Sequence, residues 1–265
     1  MQTVGIIGGG FVGHATARVW MEHAEVKVYD VDLRRSTHSK QEASACDFVF
    51  VCLPTPAKED GSCDTSAIDD YFGWLRSVED ESSVYIVKST VPVGTTRRLH
   101  SASRTGNVVH SPEFLTARCA VTDAHLPARN IVGYPRDCDG WATLRLRTLY
   151  EQRFPGIPSH VMSSDESELV KLVVNGFFAV KVWYFNELQT LSHKLGCRWE
   201  FVIDGILSDG RIAHAHTQVP GHDGKRGFGG ACLPKDLANL ATTIGEDATA
   251  LRAILKRNAE MRGTA

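Results

Sequence analysis

The sequence lacks the features of a membrane-spanning or secreted protein. No apolar run approaches the roughly 20 residues that a membrane-spanning helix needs. The N-terminal stretch MQTVGIIGGGFVG has no basic start, and glycines interrupt it, unlike a secretory signal. The 7 cysteines are odd in number and form no C-x-x-C pair, which argues against a disulfide framework or a structural zinc site. We expect a cytoplasmic protein with reduced thiols and no membrane partner.

An excess of charge of either sign is also missing. Lys and Arg number 29 against 31 Asp and Glu, which gives a formal net charge of -2. This balance gives no reason to expect nucleic acid as a partner. The hydrophobic content of 43% is ordinary for a globular protein, and 265 residues suffice for one large domain or two small ones.

The first half of the sequence contains alternating strand and helix patterns. Short apolar, β-branched segments lie at 4–8, 25–30, 47–53, 84–90, 107–110 and 130–134. Helical patterns such as 11–23 and 65–78 lie between them. This alternation predicts an α/β fold, a Rossmann-type doubly wound parallel sheet with helices on both faces. Ligands of such sheets bind at the carboxyl ends of the strands.

The first strand runs into the glycine-rich loop GGGFVG, in which Gly8, Gly10 and Gly13 form G-x-G-x-x-G. The motif follows a strand and opens a helix, and Asp30 comes 22 residues after Gly8, at the end of the second strand. That context is typical of a dinucleotide site. The glycines let the backbone approach a pyrophosphate, and the helix N-terminus supplies N–H donors. The structural alternative is a tight strand–helix turn without a ligand.

The cofactor predicted for this loop is NAD. The Asp30 carboxylate can accept hydrogen bonds from the ribose hydroxyls and would repel a 2′-phosphate. Arg34 and Arg35 nearby keep NADP open. We expect Phe11 and Val12, between the glycines, to contact the cofactor as well.

Two further strand ends carry unusual loops. LPTP at 53–56 places the Thr55 hydroxyl at the predicted cofactor edge, and KSTVPVGTT at 88–96 ends its strand at Thr90. Simple turn chemistry explains each loop equally well.

The second half of the sequence is helical. A single helix of roughly 30 residues is predicted over 163–196, capped by Ser164 and apolar nearly all round. We expect it to be buried on several sides, and one interpretation is that it forms a dimer core. Helices at 237–244 and 247–262 follow. The predicted domains are 1–160, which binds NAD, and 161–265, which is all-helical.

Lys171 and Asn175 lie four residues apart on the long helix and share a face. Either Lys171 extends along the surface to reach water, or the pair faces a cleft between the domains.

The segment GFGGACLPKD at 227–236 raises the possibility of a nucleophilic cysteine, Cys232. In the preceding loop, His214 and His216 make a metal site conceivable. No zinc-type ligand cluster accompanies them, so we expect no metal and a polar substrate loop.

These residues together resemble a known family. The chain carries, in this order, GIIGGGFVG, VYD, LPTP, KSTVPVG, SPEFL, ELVKLVVN, YFNEL and GFGGACLPKD. Over essentially its whole length it is similar to the UDP-glucose and GDP-mannose dehydrogenases, the nucleotide-sugar 6-dehydrogenases.

The resemblance implies an NAD-dependent oxidation in two rounds. A C6 alcohol becomes an aldehyde and then a carboxylic acid, most simply from UDP-glucose to UDP-glucuronate. The aldehyde is captured by Cys232 as a thiohemiacetal, which is oxidised to a thioester and hydrolysed. The glycines before Cys232 would leave room for the sugar, and Lys171 and Lys235 would favour the thiolate. A homodimer through the long helix is implied as well.

The resemblance also implies roles for individual residues. Lys171 would stabilise the alkoxide and the oxyanion, with Asn175 donating beside it. Asp236 would assist proton transfer. Thr90 and Glu113 would position a water, with Glu113 as the base.

Contacts to the ligands are implied in the same way. Besides the glycine loop and Asp30, those to NAD come from Arg35, Thr55, Thr90 and Lys235. Those to the substrate come from Glu113, Phe114, Leu115, Lys171, Asn175, Arg211 and Gly229. Arg211 would reach the substrate phosphate across a dimer interface, or else it is a solvated loop charge.

The sequence departs from that family at three places. The 265 residues end soon after the helix that follows Cys232, whereas family members continue into another α/β domain that covers the nucleotide, so a short form lacking it is expected. Ala117 stands where members commonly have a second glutamate. The loop between Arg211 and Gly227 is longer than the family's and rich in histidine.

Two other functions remain open at the level of the sequence. One is a two-electron dehydrogenase of 3-hydroxyacid type, which also uses a Lys-x-x-x-Asn pair but has no need of Cys232. The other is a non-catalytic or regulatory NAD-binding derivative of the family, suggested by the missing domain and by Ala117.

Overall fold

The structure is a computed structural model that describes residues 1–116, 118–138 and 140–264. The chain forms two compact units. The first unit consists of Met1–Pro56 and Cys63–Lys171, and the second of Ala57–Ser62 and Leu172–Ala265. Ala117, where the family commonly has a glutamate, lies outside the described residues.

The first unit is built on one seven-stranded sheet. In chain order the strands are β1 Thr3–Ile7, β2 Glu25–Tyr29, β3 Phe48–Val51, β4 Val84–Val87, β5 Val108–His110, β6 Asn130–Tyr134 and β7 Ser159–Ser163. They are arranged β2-β1-β3-β4-β5-β6-β7. The chain moves outward in one direction from β1 to β2 and in the other from β3 onward, which confirms the doubly wound α/β fold.

The sheet differs from the prediction at its far edge. β5 and β6 pair antiparallel, whereas every other neighbouring pair is parallel. β7 was not predicted, because its sequence SHVMS is half polar and most of the strand is accessible to solvent. The domain boundary predicted at residue 160 falls inside β7, and the first unit continues to Lys171.

Helices cover the sheet on both sides. The first unit contains α1 Phe11–Trp20, α2 Lys40–Ser44, α3 Ser66–Leu75, α4 Thr95–Ala102, α5 Ala120–His125 and α6 Trp141–Arg153. The helix α7 Ser164–Lys194 begins in the first unit and continues into the second. The second unit contains α8 Trp199–Leu207, α9 Leu233–Ile244 and α10 Thr249–Arg262.

The central strands β3 and β4 are apolar at every position because both faces of the sheet are buried there. On one face, Phe50 packs with Trp20 and Leu146. On the other face, its neighbour Val51 packs with Leu75 and with other residues of α3. Successive side chains of a strand point to opposite faces, so continuous apolar runs fill two cores.

The long helix α7 has the predicted length but begins with a different cap. Its 31 residues start at Ser164. The hydroxyl of Ser163 accepts the Glu166 amide at 3.4 Å, and the Glu166 carboxylate accepts the Ser163 amide at 2.7 Å. Ser163 therefore caps the helix in place of Ser164, because the reciprocal partner lies three residues after it.

The predicted burial of α7 on several sides is only partly present in the described chain. Large apolar side chains along the helix stay more than two fifths exposed, namely Leu169, Val173, Phe177, Tyr184 and Leu191. In the second unit, Ala179 of the helix is buried in a core with Phe228, Leu237 and Ile254. In the described residues, no helix is both long and apolar enough to span a membrane.

Candidate functional site

The glycine loop after β1 has the geometry of a dinucleotide turn. Gly8 has φ +96°, and a Cβ there would lie 2.6 Å from the carbonyl oxygen of Cys52. A Cβ on Gly13 would lie 1.8 Å from the Gly8 oxygen. Both glycines are therefore required for α1 to start close to β1. Gly10 has no atom within 4 Å of its Cβ position, so a ligand can approach the backbone there.

Asp30 is bound directly to this loop. Its Oδ2 accepts the Gly9 amide at 2.6 Å, and its Oδ1 accepts the Asp32 amide at 2.8 Å. A carboxylate has about four acceptor positions, so two remain for the hydroxyls predicted to bind it. Arg34 and Arg35 both pair with Asp32, at 2.9 and 3.6 Å.

A cavity of about 590 Å³ opens at the start of α1. Its walls include Gly9, Gly10, Phe11 and Arg35 on one side and Arg118 to Thr122 on the other. The volume is typical of small-molecule sites. With Gly10 open to it and two guanidinium groups in its wall, the cavity fits the diphosphate of a dinucleotide.

Thr55 and Thr90 are in contact, and the Thr55 hydroxyl has a hydrogen-bond partner within the protein. Thr55 is buried, and its Oγ1 donates to the Thr90 carbonyl oxygen at 2.8 Å. It thereby links the loop after β3 to the loop after β4. The hydroxyl oxygen can still accept a hydrogen bond.

Lys171 lies inside the protein, which excludes the surface alternative raised by the sequence. It is 3% exposed. Its Nζ donates to Glu113 Oε1 at 2.8 Å and to the Glu113 carbonyl oxygen at 2.7 Å. The other carboxylate oxygen of Glu113 accepts the Leu115 amide at 2.6 Å, and Phe114 places its ring 5.3 Å from the Lys171 nitrogen. The first unit thus contains a buried Lys–Glu pair, in which two N–H groups of the ammonium donate to Glu113.

Asn175 forms a second buried group, within the second unit. Its Nδ2 donates to Asp236 Oδ2 at 2.5 Å. The other oxygen of Asp236 accepts Lys235 Nζ at 2.6 Å. Asp236 is 1% exposed, and both of its oxygens are bonded, as a buried carboxylate requires. Lys171 and Asn175 lie one turn apart on α7.

Cys232 is exposed and occupies the position just before α9. The loop that leads to it is held from two sides. Asn258 of α10 accepts the Phe228 amide at 2.7 Å and donates to the Phe228 oxygen at 3.0 Å. Asn186 of α7 accepts the Gly227 amide at 2.9 Å. The cysteine is therefore presented to solvent by a fixed loop at a helix N-terminus.

Two glycines of this loop are in close contact with α10. A Cβ at Gly227 would lie 2.5 Å from Asn258 Oδ1, and a Cβ at Gly229 would lie 2.5 Å from the guanidinium carbon of Arg262. These two positions therefore make room for α10, and the expected contact of the loop with a sugar stays a prediction. Only Gly230, at φ +78°, has open space beside it.

In the described part of the chain, Arg211 and His216 of the following loop contact other side chains of the protein and do not form a cluster of ligand-binding groups. Arg211 is paired with Asp209 at 2.6 Å and is largely exposed. His216 stacks on Phe178 with ring centroids 4.1 Å apart. Among the described residues, no three His, Cys, Asp or Glu side chains are placed to hold a metal ion.

Sequence reasoning missed several polar residues that the structure brings to this region. Arg118 in the cavity wall lies three residues after SPEFL, outside the motifs used for the prediction. His110 is buried, and burial together with the charge of Lys88 lowers its pKa to about 3. Glu168 is 1% exposed, and burial raises its pKa to about 7. No signal in the sequence distinguishes Glu168 from the other acidic residues at the start of α7.

Comparison with known proteins agrees with this geometry. Residues 25–153 match the NAD binding domain of the UDP-glucose/GDP-mannose dehydrogenase family, and residues 165–260 match its central domain. A UDP-glucose 6-dehydrogenase of Pseudomonas aeruginosa is 30% identical over 97% of this chain, which spans 65% of that enzyme. One from Campylobacter jejuni is 31% identical over 78% of this chain, which spans 51% of it. The chain belongs to the UDP-glucose/GDP-mannose dehydrogenase family.

Solved structures show the same architecture. A UDP-glucose dehydrogenase from Pyrobaculum islandicum superimposes with a TM-score of 0.83 at 27% identity, over 98% of this chain and 68% of its own. A 3-hydroxyisobutyrate dehydrogenase from Mycobacterium tuberculosis superimposes with a TM-score of 0.76 at 20% identity, over 99% and 95% of the two chains. At that identity the second match concerns the fold alone.

Proposed function

We propose that the protein is an NAD-dependent enzyme that oxidises the C6 alcohol of a nucleotide sugar to the carboxylic acid, with UDP-glucose as the first substrate to test. The observation that carries the proposal is the pair of buried polar groups on α7. A buried ammonium, Lys171, and a buried amide, Asn175, lie on consecutive turns of this helix. Within the second unit, an exposed thiol, Cys232, lies at a helix N-terminus.

NAD fits the cavity at the start of α1. Gly8, Gly10 and the N-terminal amides of α1 would hold the diphosphate, with Arg35 and Arg118 beside it. The two remaining acceptor positions of Asp30 would take the ribose hydroxyls. When bound, the nicotinamide supplies the hydride acceptor.

In the first oxidation, C6 loses a hydride and its hydroxyl loses a proton. Lys171 has three N–H donors, two of which bind Glu113. The third can bind the substrate oxygen as negative charge develops on it. Asn175 also has a second N–H, because only one is used by Asp236. Donors that are fixed before the substrate arrives stabilise this charge without reorganisation.

In the second oxidation, Cys232 adds to the aldehyde. A bond forms between Sγ and C6, the thiol proton leaves, and the former carbonyl oxygen gains a proton. Loss of a second hydride from C6 and of that proton gives a thioester. Water then attacks, Glu113 accepts its proton, and the C–S bond breaks to release a carboxylate and the thiol. Each sugar therefore consumes one water and yields two hydrides.

The exposed apolar residues of α7 support a homodimer. Phe177, Tyr184 and Leu191 repeat every seven residues and are 61%, 51% and 51% exposed. Seven residues are close to two helical turns, so these side chains line one face. A contiguous apolar face of this kind marks an interaction surface. A second copy of α7 presents the complementary stripe, and light scattering of the wild type against Phe177→Asp tests the assignment.

The test of function is the NADH yield from limiting UDP-glucose with excess NAD. Two NADH per sugar, together with a glucuronate product, would establish the four-electron reaction. One NADH per substrate would point to the two-electron alternative. NAD binding without turnover of UDP-glucose, GDP-mannose or UDP-N-acetylmannosamine would overturn the proposal in favour of a non-catalytic role.

A further inference from the structure

The first two turns of α7 carry three buried polar residues, Ser167, Glu168 and Lys171, which we call the α7 anchor. None is more than 3% exposed. All three belong to the first unit. Lys171 binds Glu113 as described above. Ser167 Oγ lies 2.7 Å from Nδ1 of His110, at the end of β5.

The anchor is pressed against the sheet by a glycine. Gly133 of β6 is paired with His110 in the sheet. A Cβ at Gly133 would lie 2.5 Å from Ser167 Cβ and 3.1 Å from Ser164 Cα. The start of α7 can therefore contact the strand backbone directly, and any side chain at Gly133 would displace it.

Glu168 links this helix start to α4. Its Oε2 accepts the Gly94 amide at 2.6 Å, and its Oε1 accepts the Thr96 amide at 2.7 Å. Gly94 precedes α4 at φ +92° and provides no side-chain cap. Because the first amides of a helix have no partner within it, α4 depends on a carboxylate that comes from a residue more than 70 positions later.

This link joins two segments to which the family resemblance assigns site residues, the loop of Thr90 and the helix turn of Lys171. Four residues before Gly94, the loop after β4 contains Thr90, which accepts the hydroxyl of Thr55. Three residues after Glu168, on the same side of α7, Lys171 binds Glu113. A carboxylate between them therefore ties the Thr90 loop to the helix turn that carries the ammonium.

We infer that Glu168 is a positioning residue, which holds the loop of Thr90 and the Lys171–Glu113 pair in register through the amides of Gly94 and Thr96. The role in turnover rests on the proposed function. The structural coupling between the two segments does not, because it is a property of the first unit alone.

The coupling is tested by hydrogen exchange at pH 8 in Glu168→Gln. A glutamine can accept only one of the two amides and turns its own N–H groups toward the other. We expect exchange at Gly94 and Thr96 to rise about tenfold or more, and exchange at Leu115, whose amide binds Glu113, to rise about threefold. Glu166→Gln is the matched control, because it removes a neighbouring carboxylate whose hydrogen bond among the described residues is to the Ser163 amide. It should leave all three amides within about twofold of the wild type.

The catalytic part is tested by a split between kcat and KM. Glu168→Gln should lower kcat about tenfold or more, while the KM for the nucleotide sugar and the Kd for NAD stay within about twofold. If the glutamine variant does not fold, the same measurement is made on Glu168→Asp, which keeps the charge but shortens the side chain by one methylene.

Each outcome decides one part of the inference. If exchange becomes faster only at Gly94 and Thr96, Glu168 is a local helix cap and its positioning role is overturned. The positioning role is also overturned if exchange at Leu115 becomes faster while kcat stays unchanged. If the wild type turns over no sugar, the proposed function fails, and exchange at Leu115 alone decides whether Glu168 couples the two segments.

Discussion

The buried groups of the first unit and the cysteine loop of the second unit are built in opposite ways. Lys171 and Glu113 are each less than a tenth exposed and are bonded to one another. Cys232 is exposed at the end of a loop that other residues hold in place. A buried charge needs a paired counter-charge and hydrogen bonds even without substrate. An exposed nucleophile needs only the correct orientation. Changes at the first site should therefore affect both stability and chemistry, and changes at the second should affect chemistry alone.

The largest effect is expected at Cys232. Cys232→Ser removes the thiol that forms the thioester, and it should reduce acid formation by at least about 10³-fold. The midpoint of thermal unfolding should not change, because the side chain is exposed. Product analysis by mass spectrometry, together with NADH yield, measures the loss.

Cys197→Ser is the control for this experiment, since Cys197 is another exposed cysteine of the second unit. A Cys232→Ser enzyme that still delivers two NADH per sugar would refute the thioester route.

The next largest effect is expected at Lys171. Lys171→Met leaves the Glu113 carboxylate buried without its cation, which should cost about 3–5 kcal/mol of unfolding free energy. It also removes the donor for the substrate oxygen, so kcat should fall about 10²–10³-fold. Denaturant unfolding and steady-state kinetics measure the two losses.

A double variant separates the two losses. Lys171→Met with Glu113→Gln removes both charges, so most of the stability should return while the activity stays lost. Recovery of activity along with stability would show that Lys171 acts through folding alone.

Features that a short contiguous stretch of sequence encodes were the ones that could be predicted. The glycine loop and Asp30 were predicted because a dinucleotide turn is encoded in a short contiguous stretch, and the long helix because it contains no interruption. Strands β1 to β6 were predicted from short apolar and β-branched segments. β7 was missed because SHVMS contains one β-branched residue, whereas the other edge strand, β2, has two valines that alternate with charged residues.

Contacts between residues far apart in the chain could not be predicted from local sequence patterns. Lys171 pairs with a residue 58 positions away, and its spacing from Asn175 allowed a surface lysine equally well. The contact of Gly229 with Arg262, which lies 33 positions later in the chain, was also not encoded in the motif around Cys232. The antiparallel pairing of β5 with β6 is likewise a property of strand order that neither strand's own sequence contains.

A smaller, pH-dependent effect is expected from Glu168. Burial raises its pKa from 4.5 to about 7, so the folded protein retains a proton that the unfolded chain releases. The resulting stabilisation is complete below pH 4.5 and is lost as the pH rises through 7. Between pH 5 and pH 8 the contribution should fall by about 2 kcal/mol.

Urea unfolding across this range checks the expectation. The difference between wild type and Glu168→Gln should carry the pH dependence, because a glutamine does not titrate. The difference between wild type and Glu166→Gln should not show it in this direction, because hydrogen bonds from Ser163 lower the pKa of Glu166. A flat difference for Glu168→Gln would contradict a buried carboxyl that takes up a proton on folding.

The smallest effect is expected at Arg118, which belongs with Cys232 among the exposed groups. It lines the cavity at the start of α1 together with Arg35. A guanidinium beside a diphosphate contributes a charge-assisted hydrogen bond, so Arg118→Ala should raise the Kd for NAD about five- to tenfold, or by about 1 kcal/mol. Arg147→Ala is the control, because Arg147 is exposed on α6 and pairs only with Glu151 in the described contacts. Titration of NAD at two salt concentrations measures the effect, which should shrink at the higher one. An unchanged Kd would place the diphosphate on the backbone of the glycine loop and on Arg35 alone.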